Sequence, residues 1–483
     1  MRRAPIQSII GILLLLSSCM MLLPALVGFM YQDHTVLVFI QSATLLAVLG
    51  FALYLPVRRA QYDLRLRDGF LVVAVSWLTL CLGGAVPFLL LEAPYISVID
   101  AIFESVSGLT TTGATALVQI DALPRGILFY RQQLQWFGGM GIIVLAVAVL
   151  PMLRIGGMQL FRAETPGPMK DSKLTPRITE TAKALWLIYL GLTIACALAY
   201  WLAGMSGFDA ISHSFSTVAI GGFSTHDSSL AWFNSPLIES IAMVFMVLSG
   251  INFALHFLAW RNATTLPYRQ DAEIKVYLSV LLVAGVVVSL GLYFSNTYLS
   301  VGESVRYGMF QAISFMTTTG YTTAPAYSWP GTLPIILMMI ATIGGCAGST
   351  AGGMKVMRVM MLFRQSIREI NHLIHPSALI PTKMGGKTIS GKVMYAVWGF
   401  FFLYVASFMV LSILVTITGV DPITAFSAVG ASIANLGPAL GEVGNHYAHI
   451  NDVAKMILAF AMLLGRLEIF TLLVLLTPAF WRD

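Results

Sequence analysis

The chain has 483 residues, 57% of them apolar and 10% charged, with a formal net charge of +6. A soluble domain carries about 25% charged residues, and no fold of this size has the interior to hide so much apolar surface, so a soluble enzyme is excluded. Disorder and a disulfide scaffold are excluded with it, and apolar runs of about twenty residues, rather than alternation over about ten, exclude a transmembrane β-barrel.

What remains is an all-α polytopic membrane protein. Windows of about twenty apolar residues predict spans over 8–31, 35–56, 70–92, 127–151, 181–204, 236–260, 274–296, 333–364, 390–420 and 453–480. Met1-Arg2-Arg3 ahead of an apolar run has the look of a signal peptide. No A-x-A-like cleavage site follows, so the first helix is expected to be retained. Cys19, Cys81, Cys196 and Cys346 lie in apolar stretches with no C-x-x-C and read as small core hydrophobes.

With ten spans, both termini face one side. Of the 28 Lys and Arg, only Arg125, Arg131, Arg306 and Lys455 fall on the opposite side, and Arg466 falls inside a span. The positive-inside rule therefore puts both termini in the cytoplasm. More than half of the 22 Asp and Glu lie outside. Such an excess would concentrate cations, although depletion of outer Lys and Arg accounts for it equally well.

Four outer segments between paired spans are half-apolar, too short to cross, and end in Gly with small polar residues. They run from Asp100 to Gly113-Ala114-Thr115, from Asp209 to Gly222-Phe223-Ser224, up to Thr319-Gly320-Tyr321, and up to Leu436-Gly437-Pro438. Asp100 to Gly113 and Asp209 to Gly222 are both 13 residues, which proposes Asp100, Asp209 and, in the fourth segment, Thr424 as N-caps; the third offers Ser304 or none. Each following span carries its own glycine: Gly139, Gly250, Gly345 and Gly465. The chain thus reads as two leading helices (1–68) and four helix–pore-loop–helix repeats over 69–178, 179–272, 273–388 and 389–483.

A capped half-helix that stops within the bilayer points its partly negative C-terminus at the membrane centre. Non-helical backbone at that depth is tolerated only where it lines a cavity. Glycine allows φ values closed to other residues, so successive carbonyls can replace the hydration shell of a monovalent cation. Four copies round one axis predict a pseudo-four-fold ion pore within one polypeptide.

In the third repeat, Gly344-Gly345-Cys346-Ala347-Gly348-Ser349-Thr350-Ala351-Gly352-Gly353 interrupts the span. Each Gly costs a helix about 1 kcal/mol relative to Ala, so the stretch is expected to unwind below the loops and act as a gate; close helix packing through small residues is the alternative. Gly348 to Lys355 faintly suggests a phosphate-binding loop, but Val356 follows the lysine, so no nucleotide site is expected. Arg466 inside a span calls for a cavity or a partner: either it faces the pore as a second gate element or it pairs with an acid on a neighbouring helix. Glu468 lies on the wrong helical face to be that acid.

The tracts Gly108-Leu109-Thr110-Thr111-Thr112-Gly113-Ala114-Thr115, Gln135-Trp136-Phe137-Gly138-Gly139-Met140-Gly141, Ala219-Ile220-Gly221-Gly222-Phe223-Ser224-Thr225-His226, Gly344-Gly345-Cys346-Ala347-Gly348-Ser349-Thr350 and Leu464-Gly465-Arg466-Leu467-Glu468 resemble the Trk-type potassium uptake subunits of bacteria, in the Trk/Ktr/HKT superfamily. The likeness covers nearly the whole chain. It implies K+ as the transported ion, coordinated by backbone carbonyls of Thr111, Thr112 and Gly113; Ile220, Gly221 and Gly222; Thr318, Thr319 and Gly320; and Asn435, Leu436 and Gly437. Glycine at all four last positions implies potassium preference. Ile220-Gly221 and Asn435-Leu436 depart from the Thr-Thr of the other loops, which puts strict selectivity in doubt.

The resemblance also implies gating by the 344–353 loop with Arg466, a homodimer with one pore per protomer, and a cytosolic nucleotide-binding regulatory ring (TrkA-like) on the basic inner face, where Lys355, Arg358, Arg364 and Arg368 also suit anionic lipid. It implies the bacterial cytoplasmic (inner) membrane. Asn262-Ala263-Thr264 matches a glycosylation sequon, but on the inner side. His213 and His226 are read as structural or vestibule residues. No cluster has metal or triad spacing and no organic cofactor is expected, so the chain is not an enzyme. The alternative is a proton- or sodium-coupled symporter, with Arg466, Glu468 and Glu104 as charge-handling groups.

Overall fold

A computed structural model describes residues 3–58, 66–141, 178–378, 380–385 and 387–482. The end of the fourth predicted span (142–151), the basic loop 152–178 up to Arg177, and Arg59 and Arg65 lie outside the described residues. The protein is an all-α, polytopic membrane protein. Among the described residues, six helical stretches are long and apolar enough to cross a bilayer: Ala4–Met30, Thr35–Val57, Asp68–Leu89, Lys183–Leu202, Ala272–Phe294 and Gly391–Ile417. Their outward faces carry Leu202, Phe294 and Ile417, all exposed. In water such a surface would be a large unpartnered apolar patch; in lipid it is solvated.

Two predicted spans are not continuous. The stretch 236–260 is two helices, Pro236–Ser249 and Phe253–Arg261, bent by 92°, and 453–480 is Asp452–Arg466 and Phe470–Leu476, bent by 117°. At the first bend a side chain on Gly250 would collide with the Tyr277 hydroxyl, so that glycine is needed for close approach of the Ala272–Phe294 helix. The third interrupted span breaks as expected: Leu333–Ile343 ends at Gly344, and helix resumes only at Val356–Ile374.

Four short helices fill the centre: Val98–Leu109, Gly207–Ala219, Val301–Met316 and Pro422–Ala434. We call them half-helices 1 to 4. They are buried despite Ser105, Ser107, Ser212, Ser214, Ser216, Ser314 and Ser432. Polar side chains in the interior of an apolar helical protein are the inverse of a soluble core.

Candidate functional site

The half-helices start earlier than their spacing predicted. Ser97 caps half-helix 1, accepting from Asp100 N at 3.1 Å and donating to Asp100 Oδ2 at 2.8 Å. Ser206 and Asp209 repeat this at 3.0 and 2.7 Å. Asp100 and Asp209 are thus third-position partners of a reciprocal cap rather than caps. Ser300, not Ser304, caps half-helix 3, and Asp421, not Thr424, caps half-helix 4. Asp100, Asp209 and Glu303 in the first turns, and Asp421 as the cap of half-helix 4, suit the positive helix ends.

The four far ends share the same pattern of backbone φ values and hydrogen bonds. Thr111, Ile220, Thr318 and Asn435 take left-handed φ of 56°, 55°, 63° and 55°, and the glycines two residues on take 80°, 80°, 82° and 91°. Between them the amides of Thr112, Gly221, Thr319 and Leu436 donate back to Ser107, Ser216, Ser314 and Ala431 at 2.8–2.9 Å. These bonds satisfy carbonyls that a helix end otherwise leaves bare.

The loops close on each other in a cycle. A side chain on Gly113 would overlap the carbonyl oxygen of Gly221; on Gly222, that of Thr319; on Gly320, that of Leu436; and on Gly437, that of Thr112. Each loop glycine therefore lies against a carbonyl of the next loop, and the fourth returns to the first. All twelve residues singled out in the sequence meet in this ring, and Thr111, Thr112, Ile220, Thr318, Thr319, Asn435 and Leu436 are all buried.

The unlike loops are held by two side-chain amides whose contacts sequence reasoning missed. Gln135 donates to Gly221 O at 2.6 Å and accepts from Phe223 N at 3.1 Å. Asn435 donates to Thr112 Oγ1 and Met462 O, both at 3.0 Å. The spacing of neither residue from its target announces the contact, because the partners lie on different elements. Only the motif around Gln135 drew attention to it.

Beneath the ring, the 344–353 segment touches three half-helix ends. Thr350 Oγ1 donates to Val218 O at 3.1 Å, Gly352 N to Thr318 Oγ1 at 2.7 Å and Gly353 N to Ala434 O at 3.0 Å. Glu273 Oε1 accepts from Ala347 N at 2.8 Å and Met357 N at 3.0 Å, tying the segment to the first turn of helix Val356–Ile374. Arg466 donates to Thr350 O at 3.2 Å and to Gly138 O and Gly139 O, the latter at 3.1 Å. Its guanidinium thus bridges the segment and the partly negative C-terminus of helix Arg125–Gly139. Glu468 pairs with Arg358.

Ion pairs join Arg131 to Glu104 at 2.7 Å, Arg306 to Glu239 at 2.7 Å and Lys455 to Asp100 at 2.6 Å. His213 is buried, with Nε2 2.9 Å from Ser224 Oγ. His226 stacks on Trp232 at 4.3 Å, 2.5 Å from Asp121 and 3.6 Å from Asp209. Burial opposes charge on the His226 ring, but its bonds to Asp209 and Asp121 outweigh burial and raise its pKa.

Residues 36–482 match the family described as TrkH, a cation transport protein. The Trk system potassium uptake protein TrkH of Vibrio parahaemolyticus is 52% identical over 477 residues, 98% of either chain. TrkG of Escherichia coli K12 is 40% identical over 473 residues, covering 98% of this chain and 97% of the relative. The crystal structure of the potassium transporter TrkH from Vibrio parahaemolyticus aligns over all of both chains with a TM-score of 0.91 at 50% identity.

Proposed function

Because the chain belongs to the TrkH family of cation transport proteins, we propose that it is the potassium-conducting pore subunit of a bacterial potassium uptake system. Membership makes it a potassium transporter and not an enzyme. The finer reading is our own. Dehydrated K+ passes through the ring and is coordinated by backbone carbonyls of residues 111–113, 220–222, 318–320 and 435–437, one loop from each of the four repeats. The observation that carries this is the closed cycle in which every loop glycine abuts a carbonyl of the next loop. A cycle of backbone oxygens with no side chain between them suits a bare monovalent cation.

The 344–353 segment and Arg466 form the gate. Their bonds to the undersides of three half-helices and to helix Arg125–Gly139 support this reading. The pore belongs to a homodimer in the inner membrane, with both termini cytoplasmic. A TrkA-like nucleotide-binding ring docks on the basic inner face and works the gate. For the symport reading, Glu104 and Glu468 would have to titrate freely, yet each is engaged by an arginine. That favours passive conduction.

The test is ion flux into liposomes holding the purified protein alone, comparing potassium, rubidium, sodium and lithium. Potassium and rubidium are expected to lead. Gly113→Ser puts a side chain against the Gly221 carbonyl and is expected to lower discrimination against sodium. Unaltered discrimination in folded Gly113→Ser protein would count against the ring as the filter.

A further inference from the structure

Behind the ring, each loop climbs back outward along its own half-helix, and a side chain ties the two together. The ties occupy a matched position, seven residues before the left-handed one. There stand Glu104, His213, Gln311 and Ala428. Glu104 accepts from Thr115 Oγ1 at 3.0 Å and Ala116 N at 3.1 Å. His213 meets Ser224 Oγ at 2.9 Å, and Gln311 donates to Ala324 O at 3.3 Å. Ala428 has nothing to offer, and the adjacent Ser427 takes over, accepting from Leu440 N at 3.0 Å and donating to Leu440 O at 3.2 Å. The backbone of the ring is cyclic in four, but its outer frame is not.

The first two loops share one further group. Arg131 Nε donates to Glu104 Oε1 at 2.7 Å, Nη2 to Thr115 Oγ1 at 3.2 Å and Nη1 to Ser224 O at 3.1 Å. Its guanidinium lies 4.2 Å from the centre of the Phe223 ring. Both charged side chains are buried. A buried ion pair is a weak source of net stability, because desolvation offsets the attraction. What a fully bonded guanidinium supplies is direction, since its planar fork fixes several acceptors at once. Here the acceptors belong to the climbing limbs of two loops, so Arg131 fastens loop 1, loop 2 and half-helix 1 into one unit.

We propose that Arg131 and Glu104 are positioning residues that set ion discrimination, by holding the carbonyls of loops 1 and 2 at a fixed spacing. The proposal rests on the ring being the filter. A frame that resists contraction lets the carbonyls suit a larger ion and not close on a smaller one. Loop 4 is tied without a charged group, by Ser427 to Leu440 and by Thr424, whose Oγ1 accepts from Glu442 N at 3.2 Å. The helix that carries Arg131 also ends at Gly138 and Gly139, whose carbonyls hold Arg466. Frame and gate therefore share one helix.

The experiment measures the ratio of sodium to rubidium flux in liposomes for Arg131→Lys, Glu104→Gln and Thr115→Val, each checked for a monodisperse elution profile. A lysine supplies one point charge where three directed bonds are needed, and losing charge-assisted bonds of this kind is expected to raise the ratio about five- to tenfold. Thr115→Val keeps both charges and the shape of the side chain, so it is expected to fold and to raise the ratio by a smaller factor. If Arg131→Lys does not fold, Thr115→Val decides alone. Flux reduced for both ions alike, with the ratio unmoved in the folded variants, overturns the proposal. Gly113→Ser runs beside them. A ratio that moves in Gly113→Ser but in none of the others sinks only the frame, whereas a ratio that moves in none of them sinks the filter reading as well.

Discussion

Ile220 is the residue at which the loop geometry is most demanding. A β-branched side chain rarely adopts positive φ, yet Ile220 sits at 55°, buried, with Gly222 at 80° two residues on. Thr111 and Thr318, also β-branched, and Asn435 share the conformation. The backbone path is therefore imposed by the packing of the four loops, not by local preference. The glycines were legible because their spacing repeats. Glu104–Arg131 was not, because the partners sit 27 residues apart on opposite sides of a re-entrant loop.

His226 gives a residue-scale prediction. Its pKa is raised in the folded protein, so the stability from its contacts with Asp121 and Asp209 is complete below the ordinary histidine value of about 6.5. That stability is lost as pH rises through the raised value. The melting temperature of the purified protein is expected to fall as pH goes from about 6 to about 9, and to fall less in His226→Asn. Equal slopes in the two proteins would contradict this.

At the scale of elements, the half-helices were found by pattern and their first residues were misplaced. Asp is a good N-cap in isolation, but Ser97-x-x-Asp100 and Ser206-x-x-Asp209 make reciprocal caps that move the start three residues upstream. The five glycines in 344–353 announced their break. Single glycines at 250 and 465 did not, since one Gly in an apolar run is usually tolerated. Those bends come from tertiary contact: Gly250 against Tyr277, and Gly465 against the carbonyl of Ile433 at the end of half-helix 4.

Glu273 is the element-scale test of the proposed gate. One carboxyl oxygen holds the amides of Ala347 and Met357, and its helix begins straight after its cap at Asp271. Hydrogen bonds of this kind contribute about 1 kcal/mol each. Glu273→Ala is thus expected to raise rubidium flux without any regulator by about tenfold or more. Glu273→Gln, which keeps an acceptor oxygen, is expected to raise it less. Flux at or below the unaltered level in a folded Glu273→Ala protein would argue that the clasp does not hold the gate shut.

At the scale of the whole molecule, hydropathy carried the all-α membrane architecture, because a bilayer leaves few alternatives, and the Lys/Arg count proposes its orientation. Orientation is tested by cysteine labelling in a Cys19→Ser background, Cys81, Cys196 and Cys346 being buried. A membrane-impermeant maleimide is expected to label Ser228→Cys, exposed in the outer loop after half-helix 2, on intact cells. It is expected to label Ser366→Cys, exposed beyond the proposed gate, only after permeabilisation. The reverse pattern would invert the topology.

The central claim is that four loops offer their peptide oxygens to one dehydrated ion. Anomalous diffraction from crystals grown in rubidium addresses it directly. The account predicts peaks on the axis enclosed by Gly113, Gly222, Gly320 and Gly437, in direct contact with carbonyls of all four loops. Rubidium found only elsewhere, or kept from those oxygens by a full shell of water, would contradict it.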